Sequence, residues 1–137
     1  MKSLQSRGYA HEDEFLDSLV AGGRDVVKLE RASPEVMIGD TSANLEIGVD
    51  VIAQAYLEIG QFGGFSDFLI KVPGASRLGD FHYEVWDTKL AKKMKPYFAV
   101  QLSCYAEMLE CLQGVKPNEV AVVLGSGEIK RLRLMDY

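Results

Sequence analysis

The segment "EVAVVLG", residues 119–125, does most to limit what this chain can become. It is an almost unbroken apolar run with no alternation, the pattern of a strand covered on both faces of a sheet. Such a strand needs helices on either side, and helices are at hand. "PYFAVQLSCYAEMLECLQG" comes just before it, with Pro96 at its start and Gly114 at its end, as helix-boundary preferences require. "AHEDEFLDSLVAGG" reads as a second helix, because Phe15, Leu16, Leu19 and Val20 recur at helical spacing and Gly22 and Gly23 end it.

Strands fill the middle of the chain. "DVVKLE" reads as a short strand, and "RASPEVMIGDTSANLEIGVD" as mixed, with a helical turn in "TSANLEIG" and Pro34 and the glycines breaking the rest. "VIAQAYLEIG" is a strand candidate, followed by a turn at "QFGG". "FSDFLIKV" is the next strand, ended by Pro73 and Gly74. After a loop at "SRLGD" comes "HYEVWDTKLA", and these strands together suggest an antiparallel meander. "IKRLRLMDY" alternates polar and apolar as a half-exposed strand does. The expectation is one α/β domain over residues 1–137, a mixed central sheet flanked by helices.

The 137 residues suit one domain with a real core. Apolar residues at 47% and charged residues at 26% exclude a disordered or fibrous chain. No apolar run approaches the roughly 18–20 residues of a membrane span. "MKSLQSRGYAHEDEF" lacks the apolar centre of a signal peptide, so the expected location is cytoplasmic, with no membrane partner. Cys104 and Cys111 lie about two helical turns apart, roughly 10 Å, too far to bridge on an intact helix. Two cysteines cannot build a four-cysteine zinc or iron–sulfur site. The net charge of −5 argues against nucleic-acid binding by bulk electrostatics, yet Lys89, Lys92, Lys93 and Lys95 cluster, as do Lys130, Arg131 and Arg133.

Chemistry enters at "YEVWDTK". Strand alternation puts Asp87 and Lys89 on the face of Tyr83 and Val85, with Trp86 and Thr88 opposite. On the strand before, "GFSDFLI" sets Asp67 among apolar residues. If the two strands are neighbours, Asp67 and Asp87 converge, and paired carboxylates repel unless a proton or a cation intervenes. Oxygen ligands suit Mg²⁺ or Mn²⁺, and Lys89 beside such an ion can position water or offset charge on a phosphate. From spacing alone, a salt-bridged Asp87–Lys89 pair on an exposed face, with Asp67 as a strand-end cap, is the other reading. Gln101 and Tyr105 share one helical face; a polar residue beside a packed aromatic is the bland account of them.

"GFSDFLI", "YEVWDTK" and "QLSCY", in that order, resemble the RecB-type branch of the PD-(D/E)XK nuclease superfamily, over most of the chain from about Gly8. The resemblance implies a restriction-endonuclease-like core. It makes Asp67, Asp87 and Lys89 catalytic, with Asp67 and Asp87 also metal ligands. It makes Gln101 and Tyr105 a pair beside the site that contacts substrate phosphate or holds the lysine. "RGYAHEDEF" supplies His11 where this branch carries a metal-binding histidine, with Glu12 as the fallback ligand. Taken alone, His11 also reads as a surface residue, and no role falls to His82. Lys92 and Lys93 would guide the DNA backbone, although a lysine run is also a solvated loop. Tyr97, Phe98 and Trp86 either stack on bases or belong to the core.

The implied function is a Mg²⁺- or Mn²⁺-dependent deoxyribonuclease acting on single strands or DNA ends in repair or recombination. Its implied partners are DNA and a helicase or other repair protein, and no iron–sulfur cluster is expected. The alternatives are a catalytically silent nuclease-fold module that binds DNA, and a structural subunit of a repair complex. The chain reads as a minimal stand-alone nuclease or as a piece of a longer protein. It carries no phosphate-binding motor motif.

Overall fold

A computed structural model describes residues 4–136, with side chains from Arg7 to Met135; Met1–Ser3, at the head of the N-terminal stretch, and Tyr137, the last residue of the "IKRLRLMDY" reading, lie outside the described residues. The elements run α1 (Leu4–Ala21), β1 (Val26–Lys28), α2 (Pro34–Ile47), β2 (Val51–Ile59), β3 (Phe62–Ser76), β4 (Gly79–Thr88), α3 (Pro96–Gln113), β5 (Glu119–Val123) and β6 (Ile129–Arg133), with a closing 3₁₀ turn at Leu134–Asp136. The six strands form one sheet in sequence order. β1 and β2 are parallel, joined through α2, and β4 and β5 are parallel, joined through α3. The β2–β3, β3–β4 and β5–β6 pairs are antiparallel. The sheet is therefore mixed and flanked by helices, and the expected meander is present.

The helices divide between the two faces. α1 sets Phe15, Leu16 and Leu19 against Val51, Ala53, Phe68 and Ile70, with Trp86 alongside. α2 and α3 cover the other face, where Leu45, Phe98, Leu102 and Leu109 pack on Ile52, Leu69, Tyr83, Val85, Val120 and Val122. β5 is the strand buried on both faces that its composition demands; only Glu119 at its start is partly exposed. β6, an edge strand, is more exposed than simple alternation predicts.

α2 corrects the mixed reading of residues 31–50. Ser33 caps it, its Oγ accepting from Val36 N at 3.4 Å; Pro34 takes the first turn and Gly48 ends it in the left-handed region at φ 83°. Met37, Thr41 and Leu45 recur every four residues and are buried. Two further boundaries move. β3 continues through Pro73 and Gly74 to Ser76, with its register to β4 shifting there. The β2–β3 turn lies at Gly60 and Gln61, so Gly63 and Gly64 belong to the strand. Their missing side chains make room: a Cβ on Gly63 would sit 2.2 Å from the Tyr56 hydroxyl, and one on Gly64 2.8 Å from that of Tyr105.

Candidate functional site

The β3–β4 ladder pairs Phe68 with Trp86 and then gives way to side chains. One position on, the Asp67 N–H donates to Asp87 Oδ1 at 3.0 Å, while Thr88 N and Thr88 Oγ1 donate to Asp67 Oδ2 at 2.8 and 2.9 Å. Two carboxylates thus take over the hydrogen bonding where two central strands part. Strand alternation set Asp87 on the face of Val85, as the sequence indicates, and its side chain is buried.

The opposite side of β3 is irregular at the same level. β2 pairs Ala53 with Phe68 and resumes at Ala55 with Ser66, leaving Gln54 and Asp67 between them. Among the described residues, Gln54 is the one non-glycine with positive φ, at 58°. Its inversion changes which side chains face which layer: Val51 and Ala53 lie toward α1, and Ala55 and Leu57 toward α3. Gln54 Nε2 then donates to both oxygens of Glu12 on α1, at 2.9 and 3.0 Å.

Glu12, Asp67, Asp87, Thr88, Lys89 and Gln101 all line one cleft of about 320 Å³. Glu12 is hydrogen-bonded to Asp67, and burial first, then that bond and the Asp67 charge, push its carboxyl up to about 8. Burial, followed by the Asp67 charge, pushes Asp87 up to about 7, against the opposing pull of the Asp67 N–H and Lys89. Lys89 Nζ donates to Gln101 Oε1 at 2.7 Å and lies 5.2 Å from the centre of the Phe98 ring. Gln101 is in turn hydrogen-bonded to Tyr105, whose hydroxyl is held above its usual range by burial and then by the charge of Asp87. A relay runs Lys89–Gln101–Tyr105, the helix pair holding the lysine.

The remaining candidates sit elsewhere. His11 Nε2 donates to the Val123 carbonyl at 3.1 Å, the same oxygen that accepts the Lys89 N–H at 2.9 Å. His11 thereby ties α1 to the end of β5, and it is Glu12, one residue on, that lines the cleft. Lys92 and Lys93 are exposed in the loop between β4 and α3. Phe98 is core, and Trp86 stacks on Phe15 and receives Arg131 at 5.3 Å; Tyr97 is exposed. His82 contacts the Gly74 carbonyl. Gln54 escaped sequence reasoning because its left-handed conformation answers to the neighbouring strands and leaves no local motif.

Two strand carboxylates and one from a helix, all oxygen donors, suit a hard divalent cation. Among the described residues, no group of three or more His, Cys, Asp or Glu side chains stands gathered as a ready-made metal cage. Also among the described residues, no helix is long and apolar enough to cross a membrane. Comparisons with protein-family models, curated proteins and solved structures gave no match for this chain.

Proposed function

We propose that this chain is a nuclease of the PD-(D/E)XK type, RecB-like, that hydrolyses DNA phosphodiester bonds with Mg²⁺ or Mn²⁺ in repair or recombination. The observation that carries the reading is the join of β3 and β4. Asp67 and Asp87, on adjacent central strands, are cross-bonded at one cleft, and Lys89, two residues beyond Asp87, is held there by Gln101. A salt-bridged pair on an exposed strand face would leave Asp87 solvated. Instead it is buried next to a like charge, an arrangement with a cost to the fold and a use in binding a cation.

Asp67, Asp87 and Glu12 are the residues that would hold the ion. Bound there, it would offset their charge and polarise the phosphodiester. The chain's own groups do the rest. Lys89 Nζ supplies a positive charge toward the phosphate, where negative charge grows as a water oxygen forms its bond to phosphorus and the bond to the sugar oxygen breaks. Gln101 fixes Lys89 from one side, and Tyr105 fixes Gln101. The proton released by the water leaves to solvent or a nearby base, and the departing oxygen takes one up.

The test is cleavage of end-labelled single- and double-stranded DNA with Mn²⁺, Mg²⁺ or EDTA. Wild type should cut only with metal. Asp87→Ala should abolish cutting, and Lys89→Ala should lower it by about 10²–10³-fold, both with unchanged circular dichroism. Equal cutting by wild type and both variants would refute the reading. Metal-independent DNA binding without cutting would move it to the silent module.

A further inference from the structure

One face of α3 carries apolar side chains that none of the described residues covers. Tyr97 and Val100 are 60% and 63% exposed, and Cys104 is exposed on the same face. Their spacing of three and then four residues lines them up along about 10 Å of helix. The stripe leads into a pocket of about 490 Å³ between α3 and the β2–β3 hairpin, bordered by Ile59, Phe62, Gly63, Cys104 and Tyr105. Phe62, at its rim, is 74% exposed.

Two features bear on what covers this face. Its near end adjoins Lys92, Lys93 and Lys95, all exposed, where a polyanion would be met by positive charge in an otherwise acidic protein. Its inner side is continuous with the carboxylate cleft, because Gln101 borders both the pocket and the cleft. A run of cations beside flat apolar side chains is what an unpaired strand needs: charge for the phosphates, rings and apolar surface for the bases. A duplex keeps its base faces stacked inside and has nothing to give to Tyr97 or Phe62.

We propose that this face of α3 is a platform for an unpaired nucleic-acid strand, with phosphates at Lys92, Lys93 and Lys95 and bases on Tyr97, Val100 and the Phe62 pocket. The strand enters the carboxylate cleft past Gln101. Its role in selecting a substrate rests on the nuclease reading of that cleft; its role in binding does not.

The test is made in EDTA, so that nothing is cut. Fluorescence anisotropy with a short oligothymidylate and with a blunt duplex should show tighter binding of the single strand. Tyr97→Ala and Phe62→Ala, both at exposed positions, should each weaken it about tenfold and leave the duplex unaffected. Iodoacetamide provides an independent reading. Saturating oligothymidylate should slow alkylation of Cys104 several-fold and leave Cys111, two turns further along α3, unchanged. Unchanged alkylation of Cys104, or equal slowing of both cysteines, would overturn the proposal. So would slowing of Cys104 by higher protein concentration without DNA, which would mean that a second copy covers the face. Protection of Cys104 in a protein that cuts nothing with any metal would sustain the platform and refute the nuclease; cutting without protection would do the reverse.

Discussion

β4 carries buried polar groups at two places, near its middle and at its end, and the two sites are built on opposite terms. Near its middle, the Tyr83 N–H donates to Gln113 Oε1 at 2.8 Å, and Gln113 Nε2 donates back to the Tyr83 carbonyl and to Val115 O, each at 3.1 Å. A neutral amide closes the ladder, and donors match acceptors. Four residues on, Asp87 does similar bonding work for the Asp67 N–H but brings a charge, beside a second carboxylate and close to a third. An asparagine could accept that bond without the electrostatic penalty. Polar groups at the Gln113 site stabilise the fold; at the Asp87 site the fold tolerates a charge it does not need. That difference, more than burial or hydrogen bonding as such, separates a structural polar site from a candidate functional one.

The largest expected effect breaks the Gln113 site. Gln113→Ala strands the Tyr83 N–H and carbonyl and opens a cavity, and should cost about 3 kcal/mol in urea unfolding. Metal-dependent cleavage per folded molecule should hold near wild type. A cost near zero would mean that the two sites do not differ in kind.

The opposite sign is expected at the Asp87 site. The Asp87 carboxyl is raised from 3.8 in the unfolded chain to about 7 in the fold. A raised carboxyl contributes stability that is complete below the unfolded value and lost as pH rises through the folded one. Without metal, the protein should therefore lose stability between about pH 4 and pH 8, and Glu12 acts in the same direction. Asp87→Asn should stabilise the metal-free chain on the order of 1–2 kcal/mol at pH 8 and much less at pH 5. Urea titrations of both proteins at the two pH values check this. A smaller effect is expected at Gly64→Ala, whose Cβ would press on the Tyr105 hydroxyl. Displacing Tyr105 loosens Gln101 and Lys89, so cleavage should fall about tenfold while stability drops by about 1 kcal/mol. Unchanged cleavage with the drop in stability would mean that the relay does not position Lys89.

The contrast also explains what could be read from the sequence. α3 was legible because Pro96 and Gly114 mark its ends, and β5 because its apolar run has no alternation. Asp67 and Asp87 could be paired because one meander brings their strands together. α2 was legible only as a turn in "TSANLEIG": Pro34 and the glycines read as breakers of the rest, and packing of Met37, Thr41 and Leu45 under the sheet outweighs Gly39. Its cap at Ser33–Pro34 was the local signal available. Gly63 and Gly64 read as a turn because a sequence does not show Tyr56 and Tyr105 approaching from other elements. Gln54 left no trace for the same reason. Its left-handed turn is imposed where β2 and β3 lose their pairing, and the strain it stores sits beside the cleft.

The most direct test of the contrast needs no DNA. Thermal unfolding of wild type and Asp87→Asn at pH 8, in EDTA and then in Mn²⁺, asks whether the charge at this end of β4 is there for a cation. Asp87→Asn should unfold at the higher temperature in EDTA. Mn²⁺ should raise wild type by several degrees, as about 2.7 kcal/mol of linkage at a hundredfold excess over Kd requires, and should leave the variant nearly unmoved. Equal melting in EDTA together with an equal response to Mn²⁺ would contradict it.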